Sequence, residues 1–362
     1  MRTSRVDSRC WPTADERARL PVLRRLRAVP EGDVVLRTAR RLHAALAGRP
    51  LTKSDLRWPS LATADLTGRQ VLEVVATGKH LLIRMDGGLG RPDPTIGALT
   101  LHSHLRMEGS WHLHRTGQRW SGARAEHGIR VILANQEWTA IGHRLGMLDL
   151  VATRDESSVV GHLGPDLLAP NWNLDQATER VASNPDRSIG EVLLDQRVVA
   201  GIGTFYLSEA CFVRGVNPWL PVRALTSERA GSGDVTRLRE LLATAQRLMA
   251  ANLERGTQVT TGDTRRGHEQ WVHSRSGRPC RRCGAMVRVA ALGKAPNQRV
   301  AFWCPSCQPG LVPTDSGHPQ QPLGASPPAT GDLPGGTGAS RPGSGQTSRP
   351  GQPDPARKPY RR

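Results

Sequence analysis

"DQRVVAGIGTFYLSEACFVRGVNP", residues 195–218, reads as two helices joined by a tight turn. The first ends near Arg197, the turn VVAGIGT follows, and the second begins at about Thr204. Gly201 and Gly203 leave the backbone unhindered, so N–H groups at the next helix's N-terminus can approach a phosphate. The stretch is not a dinucleotide loop. Tyr206 occupies the third glycine position, and no strand precedes the turn. A turn used only for helix packing explains this stretch equally well.

Helical spacing continues on both sides of the turn, from 174 to 254, in LDQATERVAS, SIGEVLLDQR and SGDVTRLRELLATAQRLMAANLERG. Upstream, "HLGPDLLAPNW" (162–172) is a connector with two prolines. From 66 to 151 the pattern is that of strands: VLEVVATGKHLLIRM, GALTLHSHLRM, GSWHLHR, HGIRVIL and WTAIGHRLGMLDLV, separated by turn residues. "MDGGLGRPDPTIG" (85–97) reads as a loop. Before the strands, residues 34–47 place apolar side chains at 35, 39, 42, 45 and 46, a helical spacing stopped by Gly48 and Pro50. The expected architecture is α+β and multidomain: one helix with a β-sandwich, then a helical domain.

"PCRRC" (279–283) and "WCPSC" (303–307) follow, with the spacing C-x2-C-x20-C-x2-C. Two such turns present four thiolates that close a tetrahedral site, which predicts one structural zinc on Cys280, Cys283, Cys304 and Cys307. Arg299, in "NQRVAFWC", is expected near the tip of that ribbon's hairpin. After Cys307 the chain turns to Pro, Gly, Ser and Thr, a composition that buries too little surface to fold, so 309–362 is expected to be disordered.

The net charge is +18, and residues 30–308 alone carry +10 of it. A basic globular body suits a polyanion such as nucleic acid. Only four of the fifty basic residues are Lys, which suggests GC-rich coding and weakens that inference. With no run of 18 apolar residues and no signal-peptide core, neither a membrane span nor a membrane partner is expected, and a cytoplasmic location follows.

"PEGD" (30–33) stands just before the first helix. Alone it is an ordinary helix entry with proline. A free amine at Pro30, however, could attack an aldehydic sugar carbon and form a cationic Schiff base. Glu31 beside it could then protonate the sugar ring oxygen or shuttle protons.

Together these elements resemble one family. PEGD before a helix, "TGKHLLIR" (77–84), "LHSHLRMEGSW" (101–111), the helix–two-turn–helix segment and "RVAFWCPSCQ" (299–308) are similar to the formamidopyrimidine-DNA glycosylase/endonuclease VIII family, over about 29–308 and in the same order. "MEGSW" and "GIGTFY" look closer to the actinobacterial endonuclease VIII-like branch. The resemblance implies a catalytic β-sandwich domain at 30–155, a helix–two-turn–helix domain at 156–270 and a zinc ribbon at 271–308. It implies a monomer acting on double-stranded DNA with oxidised or abasic sites, in the bacterial cytoplasm at the nucleoid.

The same resemblance implies roles. Pro30 is the nucleophile and Glu31 the acid. Lys79 assists strand cleavage by elimination, and Arg299 grips a phosphate flanking the lesion. Met107 is an apolar wedge for the gap left by a flipped base. Arg106, His162, Gly201, Gly203 and Thr204 are further DNA contacts. Thr204 stands where many relatives have Asn, so it offers fewer donors. His102, His104, His112 and His114 alternate along two strands; with no acidic partner pattern they read as ordinary strand histidines near DNA.

As written, the chain gives Pro30 a tertiary amide nitrogen with no basic lone pair. Residues 1–29 carry eight Arg against three acids, have no core pattern and resemble no targeting peptide. A start at Val29, a codon that can initiate, would expose Pro30 once the initiating Met is removed. The expected function is a bifunctional DNA glycosylase/AP lyase that excises oxidised bases, chiefly pyrimidines, through a Schiff base on Pro30. The alternative is a non-catalytic binder of damaged or abasic DNA, if Pro30 stays internal. A zinc-ribbon transcription factor would leave Pro30, Glu31 and Lys79 unexplained.

Overall fold

The amphipathic pattern at 34–47 forms helix α1 (Gly32–Leu46), which turns Val35, Ala39, Leu42, Ala45 and Leu46 into the protein. Its last turn is tied down from outside. Asn135 donates to the Ala45 carbonyl at 2.9 Å and accepts from the N–H groups of Glu137 and Trp138, so one amide closes a helix end and a strand turn together. His43 Nδ1 accepts from the Val74 N–H at 3.1 Å, fixing α1 to the second strand.

The computed structural model describes residues 30–87, 97–118, 127–226, 235–294 and 298–310, all within one compact unit. The expected N-terminal extension (1–29) lies outside the described residues. So does most of the expected 85–97 loop, and so does the expected disordered tail from 311 onward.

Among the described residues, eight strands make two antiparallel sheets. β1 (Lys53–Leu56), β6 (Ile129–Ala134), β7 (Trp138–His143) and β5 (Ser110–Arg115) lie in the order β1-β6-β7-β5. β2 (Val71–Thr77), β3 (His80–Met85), β4 (Leu99–His104) and β8 (Met147–Ala152) lie in the order β2-β3-β4-β8. Val74, Leu81, Ile83, Met85, Leu101, Trp111, Val131, Leu133, Ala140 and Leu148 share one core with the inner face of α1.

Two sequence runs split. VLEVVATGKHLLIRM becomes the β2–β3 hairpin, which turns at Gly78 with φ 58°. WTAIGHRLGMLDLV becomes two strands in different sheets, because the chain switches at Arg144 (φ 46°), Leu145 and Gly146. Period-2 alternation runs through such a corner without interruption, so the sequence pattern does not reveal it. β1 has the polar sequence KSDL and gives no alternation signal at all.

After β8 come α2 (Ser157–Val160), α3 (Leu174–Ala182), α4 (Ile189–Leu194), α5 (Thr204–Val213) and α6 (Thr236–Ala250). Helix α4 stops three residues before the expected Arg197. Helix α5 begins at the expected Thr204 and is buried from Phe205 through Phe212, on every side. A helix so enclosed must satisfy its one buried acid internally. The Glu209 carboxylate accepts from the N–H groups of Trp271 (2.8 Å), Val272 (2.9 Å) and His273 (2.7 Å), and from the Thr260 hydroxyl. It thereby holds the backbone that enters the β9 (Arg288–Leu292)–β10 (Arg299–Trp303) hairpin. Among the described residues, no helix is long and apolar enough to cross a membrane.

Glu209→Ala would strand one buried and two part-buried N–H groups, each costing about 1–3 kcal/mol. We expect urea unfolding to show a loss of at least about 3 kcal/mol. A loss below about 1 kcal/mol would mean that the cluster is solvated.

Candidate active site and metal centre

The first residues of α1 meet the first residues of α5. The Glu31 side chain, 1% exposed, caps α5: one carboxylate oxygen accepts from the Phe205 N–H at 2.7 Å, and the other accepts from Gly203 (2.8 Å) and Tyr206 (3.3 Å). The helix dipole and unpaired first-turn donors favour an anion there. The Gly32 N–H donates to the Gly201 carbonyl at 3.0 Å.

The glycines follow from this close approach. A Cβ at Gly203 would fall on the Glu31 carboxylate, and one at Gly32 would meet Met249 Cε at 2.8 Å and Gly201 Cα at 3.1 Å. Gly201 has φ 103°, a conformation that favours glycine. The two N–H groups expected to face phosphate are engaged within the protein: Gly201 donates to Gln196 and Gly203 to Glu31. The helix end does receive an anion, and that anion is a side chain.

Burial and hydrogen bonding compete at Glu31. Three N–H donors favour the carboxylate, as does Lys79, while burial disfavours it. Burial wins, and the pKa is raised to about 7, with Lys79 the largest opposing influence. Lys79 responds in the opposite sense: burial lowers its affinity for a proton, Glu31 and Asp33 raise it, and Arg299 lowers it further. These influences couple Lys79 to both Glu31 and Arg299, although the three come from the N-cap of α1, the β2–β3 turn and the ribbon hairpin. The Lys79 turn is itself anchored, since the Gly78 N–H donates to Asp166 at 2.7 Å.

Sequence reasoning missed three positions around this site. Asp166 lies in the connector. Asp33, fully buried, accepts from Gln258 Nε2 at 3.1 Å. Asn252 donates to the Tyr206 hydroxyl at 3.0 Å and accepts from the Val259 N–H at 2.9 Å. The fourth letter of PEGD carried a signal for Asp33; for Asn252 and Asp166 no local signal exists.

Arg106, with φ 50°, and Met107, 76% exposed, sit at the turn after β4, and the Arg106 N–H donates to His104 Nδ1. An apolar side chain that exposed, beside a left-handed residue, is held out from the protein. His162 is exposed, 6.0 Å from the His80 ring. Thr204 is the first residue of α5.

The Sγ atoms of Cys280, Cys283, Cys304 and Cys307 all lie within 4.8 Å of one another, with Cys280–Cys307 at 4.0 Å and Cys283–Cys304 at 3.4 Å. Tetrahedral zinc with Zn–S bonds of about 2.3 Å needs S···S separations of about 3.8 Å. The four thiols fit that ion. They rest on Phe212, Val272, Val287, Val289 and Phe302, a core too small to hold the ribbon unaided.

Because burial raises the Glu31 pKa from 4.5 to about 7, the folded state binds the extra proton between those values, and stability falls as pH rises through about 7. Glu31→Gln removes that titration. Between pH 5 and 8 the parent should lose about 3 kcal/mol relative to the variant in urea unfolding. Parallel curves would contradict a raised pKa.

The comparisons with known proteins agree with this geometry. The formamidopyrimidine-DNA glycosylase N-terminal domain matches residues 29–148, and the formamidopyrimidine-DNA glycosylase H2TH domain matches 163–262. A Streptomyces coelicolor protein named "Probable endonuclease 8 2" is 50% identical over 80% of this chain and 98% of its own length. A DNA-(apurinic or apyrimidinic site) lyase of Mycolicibacterium smegmatis is 41% identical over 77% of this chain and 99% of its own. The solved Lactococcus lactis formamidopyrimidine-DNA glycosylase, bound to abasic-site DNA, shares the fold with a TM-score of 0.60 at 19% identity, over 77% of this chain and all of that one.

Proposed function

We propose that this chain, which belongs to the formamidopyrimidine-DNA glycosylase and endonuclease VIII family, works through an amine on Pro30 with Glu31 as its acid. It is a bifunctional DNA glycosylase/AP lyase of base excision repair, of the actinobacterial endonuclease VIII-like kind. The observation that carries the mechanism is the Glu31 carboxyl, buried on the α5 N-terminus beside Lys79 and poised near neutral pH. A group that titrates near the working pH is best suited to give and take protons.

In this reading the Pro30 amine attacks C1′ of the damaged nucleotide. Glu31 gives its proton to the sugar ring oxygen, the C1′–O bond opens, and the base departs. The base takes the amine's proton as it goes, expelled by the lone pair so freed, which leaves a cationic Schiff base. Removal of a C2′ proton then expels the 3′ phosphate by elimination, with Lys79 assisting. Arg299 holds a flanking phosphate, and Met107 fills the space left by the flipped nucleotide. The active form begins at Pro30, since an amide nitrogen cannot do this chemistry; a family match that starts at residue 29 supports this. The partner is double-stranded DNA with oxidised or abasic sites, bound by a monomer at the bacterial nucleoid, and oxidised pyrimidines are the preferred class. One zinc on the four cysteines braces the ribbon that carries Arg299 and takes no part in the chemistry.

A chain beginning at Pro30 should give a borohydride-trapped covalent adduct with abasic DNA, and Pro30→Gly with an initiator Met retained ahead of it should not. Base removal should fall as pH rises above about 7, where Glu31 loses its proton, and cleavage at a preformed abasic site should not follow that profile. Tight binding without any adduct would favour the non-catalytic binder. Cys280→Ser should lower bound zinc and DNA cleavage together, because thiolate ligation couples metal binding to ribbon folding. Stoichiometric zinc in that variant, with unchanged DNA binding, would contradict the metal assignment.

A further inference from the structure

On the β2-β3-β4-β8 sheet, the face turned away from the sandwich core carries a row of titratable side chains. The registers place His80 opposite His104, Leu82 opposite His102, and His102 opposite Asp149. His80 directly follows Lys79. Its Nδ1 lies 2.8 Å from His102 Nε2, with the two rings stacked 5.0 Å apart, and His102 Nδ1 lies 3.1 Å from Asp149 Oδ2. His102 is 1% exposed, whereas the Asp149 side chain is 46% exposed. The chain of bonds therefore starts beside the catalytic lysine, passes through a buried ring and ends at solvent.

Acceptor chemistry fixes its direction. A carboxylate can only accept, so His102 donates from Nδ1 and carries its lone pair on Nε2. His80 must then donate from Nδ1, which leaves its Nε2 lone pair as the end of the chain, on the residue next to Lys79. A metal is a poorer occupant. Two nitrogens 2.8 Å apart are bonded to each other, and among the described residues only the four cysteines gather three or more donor atoms closely enough for an ion.

We propose that Asp149, His102 and His80 form a proton relay between the lyase site and bulk solvent. This rests on the lyase reading above. With DNA bound over the site, elimination releases the C2′ proton, which must leave, whereas Schiff-base formation consumes one, which must be supplied. The released proton arriving at His80 Nε2 makes an imidazolium. Its Nδ1 proton passes to His102 Nε2, the His102 Nδ1 proton passes to Asp149, and Asp149 gives it to water. Transfer in the opposite sense, from water through Asp149 to the site, supplies the proton that Schiff-base formation consumes and restores the starting tautomers.

The surroundings keep the relay empty at rest. Facing it are Lys79 from the hairpin turn, Thr77 from β2, His104 from β4, Asp149 from β8, and Glu156 and His162 from the segment beyond. Burial, then His104, His102, His162 and Lys79, lower the His80 pKa to about 3. Burial lowers that of His102 as well, against the pull of Asp149 and Glu156. Neutral rings always have a nitrogen free to accept, and a weakly basic one passes a proton on without holding it.

The test is single-turnover cleavage of abasic DNA near neutral pH at constant ionic strength, with the concentration of imidazole buffer varied. It uses whichever form, full chain or chain opened at Pro30, yields the borohydride adduct. The parent should be indifferent to buffer. Asp149→Asn keeps an acceptor but cannot carry a proton, and His102→Gln breaks the chain. Each should cleave at least about tenfold more slowly at low buffer and recover as imidazole rises, with DNA affinity unchanged. Asp149 is half exposed, so Asp149→Asn decides should His102→Gln fail to fold. Parental rates at low buffer would overturn the relay, and so would slow cleavage that no buffer rescues, the sign of a structural defect. A parent that neither cleaves nor traps in either form overturns the lyase reading and the relay with it.

Discussion

The carboxyl group of Glu31 on the N-terminus of α5 is the contact on which the rest depends. Residue 31 opens the helix that packs on the sandwich, and residues 203–206 open the helix at the centre of the second core. One side chain therefore joins the two halves, and in the proposed chemistry it is also the acid between them. Its donors favour charge, its burial opposes charge, and the excess of burial amounts to about 3 kcal/mol. With weaker burial the group would be a permanent anion, a good cap and a poor acid. With fewer donors it would be a neutral acid with little to hold it in place.

Glu209 repeats the device one face of α5 later. It gathers the N–H groups of 271–273 much as Glu31 gathers those of 203–206. A helix that starts on one buried carboxyl and carries another orients the PEGD segment on one side and the ribbon hairpin on the other. That hairpin bears Arg299, whose charge is felt at Lys79. The proposed site thus draws on three elements distant in sequence, and α5 is the common reference for two of them.

Much of this was legible in the sequence. The apolar spacing of 34–47 locates α1, the cysteine spacing locates four thiols that converge, and Thr204 begins α5. The registers were not legible. Nothing near His102 indicates that its partner is Asp149, because a strand neighbour is set by sheet order, and β4 pairs with β8 after three intervening strands. Residues 102 and 104 thus read as ordinary strand histidines, whereas His102 is a bonded link between an acid and a second imidazole. The glycines of the turn read as room for a phosphate, whereas the structure fills that room with a carboxylate. Local chemistry predicted an anion at the helix end, and only tertiary structure shows which one.

The central claim concerns one proton. Site-specific 13C labelling of the Glu31 carboxyl, followed by NMR across the pH range, reads it directly. The account predicts a midpoint near 7, the balance of burial over three N–H donors and Lys79. A midpoint at or below the ordinary 4.5 would mean that the carboxyl is a permanent anion serving only as a cap, and would remove the acid from the proposed chemistry.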